Sequence, residues 1–116
     1  MATPGEKNIV DRCLEVRSVR GRQVVAVRGN VDQHVADEMR EILETQVSTG
    51  SPILVDCSEV ASIDSYGLSS LICARYAAAE ARVDFKLFDI SAETRGALTA
   101  AGVSGLFDLR ESGRAR

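Results

Sequence analysis

An aspartate and a serine stand together where an apolar strand gives way to a helix. Asp64 and Ser65 follow the apolar run at residues 53–55, and Gly67 comes two residues later. Oxygen atoms on both side chains can accept hydrogen bonds from the free N–H groups of a helix start, and a carboxylate there complements the helix dipole. On spacing alone, the commoner interpretation of this pair is a helix cap.

Gly67 is harder to explain as part of a cap. A glycine in the first turn of a helix costs about 0.5–1 kcal/mol relative to alanine. We therefore expect another element of the domain, or a partner, to approach the backbone closely at this position. A serine hydroxyl beside a bare glycine is also an accessible target for a modifying enzyme.

Ser65 lacks the surroundings of a catalytic nucleophile. The hydrolase elbow requires G-x-S-x-G, whereas Ser65 lies in I-D-S-Y-G, without the first glycine. His34 is the only histidine, and it stands beside a different helix start. Phosphate-binding loops of the G-x-x-x-x-G-K-[ST] or G-x-G-x-x-G type do not occur. The sequence thus predicts that the protein is not an enzyme and has no catalytic residue.

The three cysteines, Cys13, Cys57 and Cys73, include no C-x-x-C pair. Their odd number and wide spacing are typical of reduced thiols in the cytosol. Because only one histidine is present, we predict no metal site and no cofactor. Cys57 and Cys73 lie near the Ser65 region, where small core hydrophobes are the commoner interpretation. A redox gate is the alternative, and it needs a Cα separation below about 7 Å for some pair.

Composition points to one small domain without a nucleic-acid or membrane partner. The chain has 116 residues, is 45% hydrophobic and 27% charged, and carries a net charge of -3. A mildly acidic protein is a poor ligand for nucleic acid or an anionic membrane. Residues 1–10 have no secretory pattern, and no apolar run approaches the ~20 residues of a membrane span. We predict a cytoplasmic domain over residues 11–110, with a flexible lead at 1–10 and a polar tail at 111–116.

Hydrophobic spacing predicts the order hairpin, helix, strand, helix, strand, helix. Asp32 and Ser91 are predicted helix caps, and residues 56–64 are predicted as a loop after a central strand covered on both faces. The result is an α/β domain with a mixed, mostly parallel sheet of four to five strands, an N-terminal β-hairpin and three or more helices. The predicted segments are strands at 14–19, 24–27, 53–55 and 83–88, helices at 35–47, 65–81 and 91–102, and a last strand or turn at 106–109.

Residues 53–107 resemble the STAS domain in the form found in bacterial anti-sigma-factor antagonists. The matching pieces are ILVDCSEVASIDSYGL, FKLFDIS and AGVSGLF, and VRGNVD at residues 27–32 matches more loosely. The resemblance covers about residues 12–109. It implies a single STAS-like domain that regulates transcription through protein–protein contacts.

The resemblance also implies a phosphorylation switch. The partner would be an anti-sigma factor with a histidine-kinase-like ATPase fold that acts as a serine kinase, and its capture would free the sigma factor. Phosphorylation of Ser65 would block binding, and a serine phosphatase would restore it. The implied partner surface consists of Asp32, Asp64, Ser65, Tyr66, Gly67 and Leu68.

Two further positions, Asp56 and Tyr66, belong to the comparison with the family. Asp56, at the end of the central strand, is expected to be structural. Tyr66 stands where relatives often carry a small hydroxyl residue, so its ring either biases which partner fits or packs beside the helix. The alternative function is that of an accessory subunit docked on a transporter ATPase, in which the serine region is a static contact.

Overall fold

The computed structural model describes residues 8–11 and 13–110, in which three successive strands are followed by alternating helices and strands. The strands are β1 (Asn8–Asp11), β2 (Leu14–Val19), β3 (Arg22–Val31), β4 (Ile53–Ile63), β5 (Phe85–Phe88) and β6 (Asp108–Arg110). The helices are α1 (Gln33–Ser48), α2 (Ser65–Ala81) and α3 (Ala92–Ala100), and a 3-10 turn spans Ser104–Leu106.

The described strands form one sheet in the order β1-β2-β3-β4-β5-β6. β1, β2 and β3 pair antiparallel, and β3 through β6 pair parallel. Arg20 and Gly21 turn the β2–β3 hairpin with φ values of 53° and 81°, the combination that tight hairpin turns need. The mixed, mostly parallel α/β fold with its N-terminal hairpin is confirmed.

The sheet has six strands in its described part, where four to five were predicted. The strand that was not predicted is β1, while β6 overlaps the last strand or turn predicted at residues 106–109; both are short edge strands. β1 begins at Asn8, inside the stretch predicted to be a flexible lead. Residues 1–7 of that lead and the predicted tail at 111–116 lie outside the described residues.

All three helices pack on one face of the sheet. Alternate strand residues such as Ile53, Val55 and Cys57 are buried in one core with the apolar sides of the helices. Leu54 and Asp56 point to the other face and are only half-buried, so the prediction of a central strand covered on both faces was wrong. The reason is topological: successive parallel strands step in one direction, and right-handed crossovers then place every helix on the same side.

β4 is longer than the sequence indicated, because the predicted loop at residues 56–64 is largely strand. Beyond Asp56, β4 pairs with the end of β3, and Val31 lies opposite Ile63. β2 pairs with β3 only as far as Val27, and β5 pairs with β4 only as far as Asp56. The ends of β3 and β4 therefore continue together beyond their neighbours as a two-stranded ribbon.

Ion pairs hold this ribbon where it leaves the sheet. Nη2 of Arg28 lies 3.0 Å from Oε1 of Glu15 on β2, and its Nε lies 3.4 Å from Oε1 of Glu59 on β4. Gly29 follows with φ of 80° at a register shift in the β3–β4 pairing, a conformation that glycine adopts without strain. Three strands are thus linked at the base of the ribbon.

A buried hydrogen bond joins the first two helices. The Ser70 hydroxyl on α2 donates to the Ala36 carbonyl oxygen on α1 over 2.8 Å. On the other side of α2, Nε of Arg75 donates to the Leu106 carbonyl oxygen in the 3-10 turn. α2 is therefore held between α1 and the C-terminal turn, and its first residue occupies a defined place at the end of the ribbon.

Candidate functional site

The ribbon ends in two helix starts that lie side by side. Val31 closes β3 and Ile63 closes β4, and the N–H of Asp64 donates to the Val31 carbonyl oxygen over 3.2 Å. α1 and α2 begin immediately afterwards, with Asp32 and Asp64 as their caps. The structure thus brings together two of the aspartates that the sequence had placed on one surface.

The two aspartates cap their helices with the same geometry. Oδ1 of Asp32 accepts from the N–H of Val35 over 3.1 Å, and Oδ1 of Asp64 accepts from the N–H of Gly67 over 3.1 Å. Both residues have φ of -98° and ψ near -170°. The predicted caps are confirmed, and each carboxylate is oriented by the backbone that it caps.

Ser65 is the first residue of α2, and its side chain is exposed. Its hydroxyl makes no hydrogen bond to the described part of the chain. Asp64 precedes it at the positive end of the α2 dipole, and Asp32 caps the neighbouring helix. A serine in this position is reachable by a modifying enzyme, and a change at its oxygen alters the charge at two adjoining helix starts.

Gly67 is required by the domain's own packing. A Cβ atom at this position would lie 2.6 Å from Cγ1 of Ile63 and 2.9 Å from Cγ1 of Val31. Real Cβ atoms essentially never approach other heavy atoms so closely. Of the two explanations that the sequence left open, close approach by another element is the one observed, and Gly67 itself is buried.

The six predicted surface residues separate into two groups. Asp32, Asp64, Ser65 and Tyr66 are exposed, whereas Gly67 is buried and Leu68 packs partly buried against the core. The exposed group forms the end surface of the ribbon. Gly67 and Leu68 support that surface from below, because the chain's own side chains cover them. The ring of Tyr66 is 52% exposed, so it extends beside Ser65 and does not pack into the domain.

Two polar residues beside the site were missed from the sequence. Oγ of Ser62 donates to Oδ1 of Asn30 over 2.7 Å and links the second-to-last residues of the two ribbon strands on the exposed side. The pair stands in register across β3 and β4. No sequence signal joined them, because residues 56–64 were taken to be a loop.

Asp56 and the cysteines are set apart from the ribbon end. Oδ1 of Asp56 accepts from the N–H of Ser58 over 3.0 Å, in keeping with a structural role. Cys57 is buried in the core, and burial together with the Asp56 carboxylate raises the pKa of its thiol to about 12. Cys73 is exposed on α2, and both cysteines are free thiols.

The described residues were searched for metal-binding groups and for membrane-spanning helices. Residues 8–11 and 13–110 contain no group of three or more His, Cys, Asp or Glu side chains suited to a metal ion. In the same residues, no helix combines the length and the apolar character that crossing a bilayer would require.

Comparison with known proteins identifies a matching family and several proteins of the same fold. The family described as "Mlab, STAS domain" matches residues 14–111. An anti-sigma factor antagonist from Mycobacterium paratuberculosis superposes with a TM-score of 0.75 at 22% identity, covering 95% of this chain and 90% of the other. No curated protein sequence matches.

Two further structures share the fold at low identity. The Bacillus cell fate determinant SpoIIAA in its phosphorylated form gives a TM-score of 0.69 at 15% identity, over 87% of this chain and 92% of the other. SLC26A9 gives a TM-score of 0.65 at 13% identity, and the matched region covers 88% of this chain but only 21% of the SLC26A9 chain. The fold therefore occurs both as a nearly whole protein and as part of a much longer one.

Proposed function

Because the chain belongs to the STAS domain family, we propose that it is an anti-sigma-factor antagonist switched by phosphorylation of Ser65. Unphosphorylated, it binds an anti-sigma factor with a histidine-kinase-like ATPase fold and so frees the sigma factor. The similarity to anti-sigma-factor antagonists supports this role. It acts by binding alone, without catalysis or a cofactor of its own, in the bacterial cytoplasm where its partners work.

The exposed position of Ser65 is the observation that carries the proposal. Its hydroxyl stands at the start of α2, next to the cap of α1, on the end surface of the ribbon. The anti-sigma factor, acting as a serine kinase, transfers the γ-phosphoryl group of ATP to Oγ of Ser65: the bond from the γ-phosphorus to the β,γ-bridging oxygen breaks, ADP leaves, and the hydroxyl proton is released. A serine phosphatase returns the hydroxyl by hydrolysis.

The expected effect of the phosphate is local. It adds a charge of about -1.5 to -2 at the helix start. The dipole attracts this charge by about 0.3–1 kcal/mol, and the Asp64 carboxylate repels it, so the fold should persist. Inside a packed interface, an unpaired, desolvated charge costs several kcal/mol, and each 1.4 kcal/mol is a tenfold change in affinity. Phosphorylation therefore releases the partner without unfolding the domain.

Incubation with candidate histidine-kinase-like anti-sigma factors and ATP tests the proposal, with peptide mass mapping as the readout. We expect phosphate on Ser65 in the wild type and none after Ser65→Ala. Ser48→Ala is the matched control, because Ser48 is exposed at the last position of α1, at the opposite end of that helix from the site. Ser65→Asp should weaken binding at least tenfold. Phosphate on another residue, or unchanged binding by Ser65→Asp, would contradict the switch.

A second candidate function is a docking subunit without a switch, for example on a transporter ATPase. The occurrence of the fold in SLC26A9, where it matches only 21% of the chain, favours this possibility. Here the end surface of the ribbon is a static contact. Binding that persists in both Ser65→Asp and Ser65→Ala, to a partner that does not phosphorylate the chain, would identify this case.

A further inference from the structure

The end surface of the ribbon is too small to be a whole interface. A stable protein–protein interface involves about 20–30 residues on each side. Of the predicted surface residues, only Asp32, Asp64, Ser65 and Tyr66 are exposed. Any partner that contacts Ser65 must therefore extend beyond these four residues, and the two helices that start there offer it different surfaces.

The outer side of α1 is charged. Its exposed residues include Asp37, Arg40, Glu41 and Glu44, which recur at helical spacing. Charged residues are depleted at the centre of protein interfaces, where desolvating them is costly. This side of α1 has the character of a surface that faces water.

The outer side of α2 is uncharged over most of its length. Tyr66, Ser69, Cys73 and Tyr76 are exposed and follow one another at spacings of three and four residues, so they form one stripe. No charged residue occurs from Ser65 to Ala74. Tyr66 and Tyr76 are 52% and 56% exposed, and only Val19 joins them as an exposed large hydrophobic residue in the described chain.

We infer that this tyrosine stripe, defined as Tyr66, Ser69, Cys73 and Tyr76, is the second half of the partner-binding surface. Its occupant is the same anti-sigma factor that contacts Ser65, so the inference rests on the proposed function. Tyrosine supplies a large contact area with few rotamers and is enriched at interface hot spots. The stripe begins at the ribbon end and extends about 15 Å from Tyr66 to Tyr76. The partner surface that covers it is uncharged and accepts two aromatic rings.

Substitution at the far end of the stripe tests the inference. The probe is the purified anti-sigma factor that phosphorylates Ser65, and its affinity is measured by isothermal titration calorimetry. We expect Tyr76→Ala to raise the Kd at least tenfold. Glu44→Ala on the outer side of α1 is the matched control and should change the Kd less than twofold. Circular dichroism confirms that each variant is folded.

The native thiol at the middle of the stripe gives a second measurement. Complex formation should slow alkylation of Cys73 by N-ethylmaleimide at least fivefold, with peptide mapping to identify the labelled cysteine. Alkylation before mixing should weaken binding of the wild type at least tenfold, whereas the same treatment of Cys73→Ser should leave the affinity of that variant as it was before treatment.

The outcomes separate this inference from the proposed function. If Ser65→Asp abolishes binding but Tyr76→Ala binds like the wild type, the stripe is not part of the interface and the switch stands. If neither variant changes affinity, or if no anti-sigma factor binds, both proposals are overturned. Sedimentation velocity of the chain alone should show a monomer. A dimer that is lost in Tyr76→Ala would overturn the inference, because a second copy would then occupy the stripe.

Discussion

Gly67 determines how closely α2 lies above the strand ends. The Cβ contacts that it avoids involve Val31 and Ile63, which belong to different strands and meet only when the ribbon forms. A close approach at Gly67 could be predicted from its position in a helix, since glycine is unfavourable there. Which side chains approach Gly67 could not be predicted, because they meet it only in the folded domain. The cap formed by Asp64 could be predicted, because its hydrogen bond reaches only three residues along the chain.

Alanine substitution at two helical glycines should therefore have opposite effects. Gly67→Ala should lower the free energy of unfolding by about 1–3 kcal/mol, the usual cost of overpacking. Gly96→Ala on α3 is the control, because nothing lies within 4 Å of the added Cβ there. It should raise stability by about 0.5–1 kcal/mol, since alanine is the better helix former. Urea denaturation followed by circular dichroism measures both, and equal effects would contradict the packing argument.

The cysteines should differ sharply in reactivity. Cys73 is exposed, whereas burial raises the pKa of Cys57 from 9.0 to about 12. Iodoacetamide at pH 8 should label Cys73 in the native protein and label Cys57 only after unfolding. Because the folded protein favours the neutral Cys57 thiol, its contribution to stability is complete below about pH 9 and is lost as the pH rises towards 12. Rapid native labelling of Cys57 would contradict its buried position.

At the scale of elements, three helix starts were predictable and one strand was not. Asp32, Asp64 and Ser91 all cap as expected, since each side chain bonds the backbone three residues ahead. Residues 57–63 were missed as strand because polar and small residues interrupt their alternation. Their strand conformation comes from pairing with the end of β3, which is remote in sequence.

Removal of two of these caps should have equal effects on stability but different effects on function. Asp64→Ala and Ser91→Ala should each lower the free energy of unfolding by about 0.5–2 kcal/mol. Only Asp64→Ala changes the surface beside Ser65, because Ser91 lies near Cys57, where its N–H donates to the Cys57 carbonyl oxygen. The rate of Ser65 phosphorylation should therefore fall in the first variant alone. A matching loss in Ser91→Ala would mean that stability, and not the site, controls the rate.

At the scale of the whole molecule, the fold class and element order followed from hydrophobic periodicity. The arrangement of every helix on one face could not be derived from periodicity, because the apolar run at residues 53–55 suits a strand with either one or two covered faces. Leu54 is apolar yet only half-buried, and sequence does not distinguish it from Val55. The number of strands was underestimated for a different reason, since β1 is too short to show periodicity, whereas β6 overlaps the last strand or turn predicted at residues 106–109.

Phosphorylation should change the charge of the whole molecule while preserving its fold. The net charge of -3 should become about -5, which a native gel resolves as faster migration. The dipole and the Asp64 carboxylate act in opposite directions by about 1 kcal/mol or less, so the Tm should move by no more than about 4 °C. Differential scanning calorimetry of the phosphorylated and unphosphorylated chains measures the shift. A large loss of Tm would show that the switch acts by unfolding.

The order of strands in the sheet is also their order in the chain. Every described strand pairs with the strand made just before it, so no pairing has to wait for a strand made later than the next one. During synthesis the sheet can extend at one edge, beginning with the β2–β3 hairpin and adding one crossover at a time. Each parallel pairing still has to close over a helix, so the loop-closure cost is larger at these steps than at the hairpin, but no step has to bring together strands that are further apart than neighbours in the chain. The surface around Ser65 is complete once α2 has formed on β3 and β4, before the last strands of the sheet are added.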